Sequence, residues 1–502
     1  MKLEEKLALM EIMFNPKNVA IIGASENLIK VGGMVATNIR IGGFKKKIYA
    51  INPNPKYNKN KSIYGIEVLP SLDKCPEQID LVGIVVPSTA VLDSIKQAIE
   101  CDIRTAVIIT AGFGEVQTKD RQDENKELIK MAEKAGLIFV GPNSLGIYSS
   151  ENEASPLHLG MGFMTPQPGT VAIISQSGTM GAILSNMMTR IRYFVSSGNE
   201  ACLLLEDYLE YFAQDEKTDI IALFIEGLRA ASRFKQLCSE LTIKKPVVVL
   251  KGGRTKSGSR AAFSHTSSIA GSKDIYNSYF KQAGIIRAEN INQFMYLVKG
   301  ASFLLPLPQH EPLRIGIISG GGGYGIVLAD LCEEQGLEVV NLHTHPNGPK
   351  LIEQLSEHLP FYWSRNNPID LVASRDFDLI PKVVENILNY DVFDILFIQT
   401  HAFFRQMLNS FQPINEFGKK MRDLMKAVMK GIGKQVSKTE INLCTRYPDK
   451  KLIYISPVPT FVDPLFEKYG QHKILIFPGN PEIAAVVLRK LHDYQKYVNR
   501  RK

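Results

Sequence analysis

Short runs of apolar, β-branched residues alternate with longer amphipathic stretches along the whole chain, and three of the runs open in a related way. VAIIGAS begins at Val19, VAIISQSG at Val171 and IGIISGGGGYG at Ile315. Each run is continuously apolar, as a strand buried on both faces should be, and passes through a tight turn of small residues into helical periodicity. The starts lie 152 and 144 residues apart, the span of one α/β domain each. Proline-containing breaks, MTPQPG at 164–169 and LPLPQHEPL at 305–313, fall between them. The pattern predicts an α/β chain of three consecutive doubly wound domains, at 1–153, 154–308 and 309–502.

The turns carry the candidate chemistry. In the first domain Gly23 ends a strand, and Gly32 and Gly33 precede a helix. Small residues there let backbone N–H groups approach a phosphate. The dinucleotide pattern GxGxxG is absent, and the second strand, KIYAINPNP, closes on Asn52-Pro53 where a ribose-binding acid is wanted. A nucleotide-like ligand fits better than a nicotinamide cofactor. Further strand ends, at Pro87, Gly112 and Gly146, would line the same crevice.

In the second domain Ser175-Gln176-Ser177-Gly178 opens a helix, and its hydroxyls and N–H groups make an anion site. Either serine could equally be an ordinary N-cap. The strand DIIALFIEG ends at Glu226, a carboxylate able to orient an imidazole or simply a charged loop residue. The third domain has its own glycine-dense turn, Ser319–Gly325, including Gly320, Gly321, Gly322 and Gly323. Close strand–helix packing alone would explain such a cluster.

One stretch stands apart. The strand KKPVVVLKGG empties into RTKSGSRAAFSHTSSIAG, a long loop of small residues around a single histidine, His265. Ordering so flexible a segment is entropically costly, which suggests a loop that moves or approaches something closely. His265 is either a plain surface residue or a nucleophile, since neutral imidazole attacks phosphorus readily. Arg254, Lys256 and Arg260 could balance a phosphate charge beside it.

Composition narrows the partners. The 502 residues are 45% hydrophobic and 22% charged, with a net charge of +8 that is thinly spread. Anionic small molecules fit this distribution better than nucleic acid. No apolar run is long enough to cross a bilayer, and MKLEEK does not resemble a signal peptide. The six cysteines are scattered without a CxxC pair, as expected of reduced thiols in a cytoplasmic protein. His343 and His345 lack further ligands at suitable spacing, so no metal site is expected. The basic, Met-rich segment 418–434 reads as a half-buried surface helix with solvated lysines, with a partner or membrane face as the alternative. There is no GxxxxGK[ST], GxSxG or HExxH.

The ordered set FNPKNVAIIGAS, KVGG, INPNP, VVPST, ITAGFGE, GPNSLGI, SQSGTMGA and KGGRTKSGSRAAFSHTSSIAG resembles the nucleoside-diphosphate-forming acyl-CoA synthetases, relatives of succinyl-CoA synthetase. The likeness is to an ADP-forming alpha subunit and runs through all three domains. It implies a Rossmann-like CoA-binding domain followed by two flavodoxin-like ligase domains. It implies coenzyme A contacts from Gly23, Ser25, Lys30, Pro53, Val86, Pro87, Ser88, Thr110, Ala111, Gly112 and Asn143. Ser175, Ser177 and Gly178 would head one phosphate-holding helix, and Gly320–Gly323 the other. His265 would carry a phosphoryl group, with Glu226 orienting its imidazole.

Family members use an ATP-grasp beta subunit, or a fused equivalent, for ADP, ATP and Mg2+. No room for one remains after residue 500, so a separate beta subunit and an alpha2beta2 heterotetramer are expected. The implied reaction converts acyl-CoA, ADP and phosphate reversibly into carboxylic acid, ATP and CoA. A non-catalytic CoA-binding regulatory or scaffold subunit is the alternative. The chain departs from the family at Ser144, where cysteine is common, at Ser267 and Ser268 after the histidine, and at the SGGGGYG turn.

Overall fold

The computed structural model describes residues 1–58, 62–116, 118–162, 166–188, 190–260, 273–372, 374, 379–400, 412–457 and 469–502. They form two compact units, Met1–Met295 and Tyr296–Lys502.

The first unit holds two sheets. One contains β1 (Asn18–Ile22), β2 (Lys47–Ile51), β3 (Ser62–Ile63), β4 (Ile66–Leu69), β5 (Leu81–Ile84), β6 (Thr105–Ile108) and β7 (Ile138–Val140). Their order is β3-β4-β2-β1-β5-β6-β7, parallel except between β3 and β4. Helices α1 (Leu3–Phe14), α2 (Val31–Ile41), α3 (Val91–Glu100) and α4 (Lys119–Ala135) accompany it. The first apolar run is a strand, as predicted, and it lies at the centre of the sheet. Because the chain leaves β1 to one side for β2 and later returns to the other for β5, the connections beyond the β1 and β5 turns run in opposite directions and leave a crevice at the strand ends.

The second sheet contains β8 (Gly146–Ser149), β9 (Leu157–Gly160), β10 (Gln167–Ser175), β11 (Arg190–Ser196), β12 (Ile220–Ile225), β13 (Val247–Lys251) and β14 (Ile286–Ala288). Its order is β14-β13-β12-β10-β11-β8-β9. The hairpin β8–β9 joins it antiparallel to β11, although β8 follows directly on the last strand of the first sheet. Helices α5 (Gly178–Asn186), α6 (Leu205–Gln214), α7 (Ala231–Leu241) and α8 (Lys273–Gln282) belong to it. Here the switch point lies between β10 and β12, so the Ser175 and Glu226 turns share one crevice.

The two sheets share one hydrophobic core. Phe14 of α1 stacks on Tyr211 at 5.2 Å, and Tyr193 stacks on Phe212 at 4.5 Å. Burying each such ring contributes roughly 1.5–3 kcal/mol before entropic costs. Arg192 is 1% exposed among them, with Nε donating to Asp215 at 2.9 Å and Nη1 to the Ser150 carbonyl at 2.8 Å; its Nη2 pairs with Glu151. This charge is tolerated in the interior because its hydrogen-bonding capacity is met.

The second unit is built on a parallel sheet of β15 (Arg314–Ser319), β16 (Glu338–Val339), β17 (Ile369–Asp370), β18 (Ile395–Gln399), β19 (Lys451–Ser456) and β20 (Leu475–Pro478). Its order is β16-β15-β18-β19-β20, with β17 pairing the end of β15. The helices are α9 (Ile291–Leu304), which crosses the boundary after Met295, α10 (Gly322–Glu334), α11 (Gly348–Ser356), α12 (Leu379–Leu388), α13 (Glu416–Arg446) and α14 (Pro481–Arg501). Asn367 makes the corner where β16 and β17 part: it accepts from Ile317 N and donates to the carbonyls of Ile315 and Val340.

The basic helix differs from expectation. The C-terminal half of α13 buries Val436, Ile441 and Leu443, but its N-terminal half leaves Phe417, Met421, Leu424, Met425 and Val428 exposed. Spacings of three and four residues identify which face of a helix is apolar, and say nothing about whether the chain covers it. Among the described residues no helix is long and apolar enough to cross a membrane.

Candidate functional site

The crevice of the first sheet is assembled from turns that touch. Gly23 follows β1 at φ +92°, its N–H donating to Ile51 O at 3.0 Å. A Cβ there would lie 2.7 Å from the Val85 carbonyl, so this turn and the one after β5 approach as closely as backbone allows. A Cβ on Gly32 would meet the Gly23 carbonyl at 2.0 Å, which seats the start of α2 on the same turn. Ser25 accepts from Asn27 N, and Lys30 is the exposed N-cap of α2. Asn52 donates to Ala24 O at 2.9 Å, and Pro53 stands exposed beyond it.

On the other side, Val86-Pro87-Ser88 follows β5, and Thr110 Oγ1 donates to Val86 O at 2.6 Å. Ala111 is exposed, and Gly112 at φ +104° packs on Ser88. Asn143 sits at φ +60° with its N–H on Thr110 O at 2.9 Å. The candidate residues of the first domain therefore line the open ends of neighbouring strands.

The second crevice is joined to the first. Gly198-Asn199-Glu200 after β11 packs into the loop after β7: Asn199 N donates to Pro142 O at 2.9 Å, and Asn143 Nδ2 to Asn199 Oδ1 at 3.3 Å. Asn199 Nδ2 donates to Glu115 at 2.5 Å, and Glu115 holds the N–H groups of Gly112 and Phe113. Arg229, after β12, donates to the Asn199 carbonyl at 2.7 Å.

Ser177 is the N-cap of α5, its Oγ accepting from Met180 N at 3.3 Å, and Gly178 begins the helix. Ser175 is fully buried and its hydroxyl donates to Ser177 O at 2.6 Å. With its side chain turned inward, Ser175 shapes the turn that opens α5. Ser319 repeats this geometry in the second unit, donating to Gly321 O at 3.0 Å, with α10 starting three residues on at Gly322. There Gly320 N is taken by Gln399 Oε1 at 2.9 Å, while Cβ atoms on Gly321 and Gly323 would meet nothing within 4 Å.

Glu226 follows β12 directly, and its backbone is held from both sides. Gln176 Oε1 accepts from Glu226 N at 2.6 Å, and Lys251 Nζ donates to Glu226 O at 2.7 Å. Lys251 is 2% exposed, also donates to Gly252 O, and stands 4.7 Å over the Tyr276 ring. Burial pushes its ammonium down to about 8, against the pull of Glu226. Beyond it opens a cleft of about 630 Å³ lined by Phe224, Lys251, Arg254, Thr255, Glu289 and Asn290. Arg254 is paired with Glu289 at 2.9 Å. Beyond Thr255 the chain is helical at 256–260, where a loop was expected, and His265 lies outside the described residues.

Sequence reasoning missed Gln176, Glu200, Asn199, Glu115 and Lys251 as parts of this arrangement. The run SSGNE at 196–200 marked a turn, but what the turn touches is tertiary. Among the described residues no cluster of three or more His, Cys, Asp or Glu could hold a metal ion.

Two crevices at strand C-termini, joined by one corner, define a doubly wound α/β scaffold built to bind ligands at its switch points. Residues 17–150 match the CoA binding domain family, and residues 168–301 match the succinyl-CoA ligase like flavodoxin domain. The chain is 36% identical over 373 residues to the acetate–CoA ligase [ADP-forming] II subunit alpha of Pyrococcus furiosus, covering 73% of this chain and 77% of that one. It is 32% identical to subunit alpha of ligase I from the same organism, covering 84% of this chain and 90% of that one. Among solved structures, the dinucleotide forming acetyl-coenzyme A synthetase 1 of Ca. Korarchaeum cryptofilum, in complex with phosphate and ADP, superposes with a TM-score of 0.80 at 29% identity over 98% of each chain.

The chain belongs to the family of ADP-forming acetate–CoA ligase alpha subunits. It is an acid–thiol ligase component, which disposes of the non-catalytic alternative.

Proposed function

We propose that the chain is the alpha subunit of an enzyme interconverting acyl-CoA, ADP and phosphate with carboxylic acid, ATP and CoA, and that it does so through an acyl phosphate and a phosphohistidine at His265. The observation that carries this reading is the joining of a CoA-type crevice to an anion-type turn through Asn199 and Glu200, in a chain that covers nine-tenths of an ADP-forming alpha subunit. Residues 1–153 would hold CoA, 154–308 the phosphohistidine loop and first helix N-terminus, and 309–502 the second.

Coenzyme A is received by Gly23, Ser25, Lys30, Pro53, Val86–Ser88, Thr110–Gly112 and Asn143. A phosphate oxygen attacks the thioester carbonyl, the C–S bond breaks, and the thiolate leaves and takes up a proton. A neutral imidazole nitrogen of His265 then attacks phosphorus, the P–O bond to the acyl group breaks, and carboxylate departs. The other ring nitrogen keeps its proton facing Glu226, whose charge stabilises the phosphoimidazole. The N–H groups of Ser177 and Gly178 offset charge on the transferring group without reorganising, and the Gly321–Gly323 turn of the second unit is a further helix start suited to an anion.

His265 then passes the phosphoryl group to ADP, whose oxygen displaces the imidazole. ADP and Mg2+ belong to an ATP-grasp beta subunit in a cytoplasmic alpha2beta2 assembly; its presence is supported by the alpha-subunit relatives. Acetyl-CoA is the first substrate to try, since the relatives are acetate–CoA ligases.

The test is ATP formation from acyl-CoA, ADP and phosphate by this chain co-purified with its beta subunit. Turnover that requires all three substrates supports the reading. CoA binding without turnover across a panel of acyl-CoAs would overturn it.

A further inference from the structure

Beside the turn that opens α5 lies a carboxyl group that this reaction scheme leaves without a part. Glu200 is 3% exposed and adopts φ +50°, a conformation that costs a non-glycine residue energy and persists only where its surroundings enforce it. Its Oε1 accepts from Ser197 Oγ at 2.8 Å and from Gln176 Nε2 at 3.1 Å.

Gln176 in turn has its whole amide engaged. Nε2 donates to Glu200 and to Gly227 O at 2.9 Å, while Oε1 accepts from Glu226 N at 2.6 Å and Gly227 N at 3.1 Å. Two backbone donors on one oxygen fix which end of the amide is which. A single side chain therefore ties the Ser175–Gly178 turn to the backbone that carries Glu226.

We propose that Glu200 and Gln176 are a positioning pair for phosphoryl transfer: Glu200 holds the Gln176 amide, and Gln176 holds Glu226 and the start of α5 in one register. The inference rests on the reading above that this turn receives a phosphoryl group.

The charge state of Glu200 matters because an anionic carboxylate one hydrogen bond from the turn would oppose an incoming phosphate. Burial pushes its carboxyl up to about 7. Facing it are Glu206 and Tyr208 on α6, both raised by burial, and Arg229, which favours the ionised form. The neutral acid gives Gln176 the same acceptor without the charge. Raising pH through 7 ionises it and weakens the turn's hold on phosphate.

The experiment compares wild type and Glu200→Gln in complex with the beta subunit. Acyl-CoA and phosphate turnover is followed from about pH 6 to 8.5, together with the infrared difference spectrum of the two proteins. Because phosphate ionises identically for both, the readout is the ratio of wild-type to variant rate. That ratio falls about fivefold or more across the range, and a protonated-carboxyl band present at pH 6 disappears by pH 8.5. Gln176→Ala lowers kcat and leaves the KM for acyl-CoA little changed.

A flat ratio, or no such band with normal turnover, overturns the inference alone. The band without any wild-type turnover overturns the functional reading, because Glu200 would then be neutral in a protein that does not transfer phosphate. Should Glu200→Gln fail to fold, Glu200→Asp serves: its carboxyl is withdrawn from Gln176 but still titrates, so kcat falls while a pH dependence remains. A Glu200→Asp kcat equal to wild type counts against the inference.

Discussion

Replacing the titratable carboxyl of Glu200 has a thermodynamic consequence that does not depend on catalysis. In the folded chain its carboxyl is pushed from the ordinary 4.5 up to about 7 by burial. The folded state thus holds this proton more tightly than the unfolded chain. The stability associated with the neutral group is fully present below about pH 4.5 and is lost as pH rises towards 7. At about 1.4 kcal/mol per pH unit, the loss amounts to roughly 3 kcal/mol above pH 7.

Glu200→Gln keeps the shape and does not titrate, so wild-type minus variant stability should decline by roughly 3 kcal/mol between about pH 4.5 and 8. The sole tryptophan, Trp363, lies in the second unit and reports on the wrong half. Denaturant-dependent hydrogen exchange of peptides from β10 to β12, read by mass spectrometry, follows the unit that contains Glu200. A difference that stays constant within about 0.5 kcal/mol would refute the buried, neutral carboxyl.

Gly23→Ala forces a side chain into φ +92° and against the Val85 carbonyl; strain of about 1–3 kcal/mol should weaken CoA binding roughly tenfold or more by calorimetry. Arg192→Met leaves Glu151 and Asp215 without their buried partner and should destabilise the first unit by about 3 kcal/mol, a loss partly recovered by adding Asp215→Asn. Lys251→Met removes both donors that anchor the Glu226 and Gly252 carbonyls. It should lower kcat at least tenfold while CoA affinity stays within about twofold; an unchanged kcat would remove Lys251 from the site.

The three apolar openings were legible because continuous β-branched runs followed by small-residue turns have few alternatives. Val19, Val171 and Ile315 fall in β1, β10 and β15, an interior strand of each sheet. The β8–β9 hairpin was not legible as part of the second sheet. Its pairing to β11 joins residues more than forty apart, and GPNSLGI reads locally as one more strand end. Gln176 and Glu200 escaped for a related reason. A glutamine in a turn and an acid after SGN look solvated, and only the packing of four loops buries the acid and engages all of the amide. The α13 stripe shows the converse, since its period was plain and its exposure was not.

The central claim is the phosphohistidine, and intact-mass analysis of the purified chain after incubation with acetyl-CoA and phosphate tests it most directly. A phosphate-sized, acid-labile addition that maps to His265 and is absent from His265→Ala is the predicted result. An addition that survives acid or persists in His265→Ala, or none at all while CoA still binds, would contradict it.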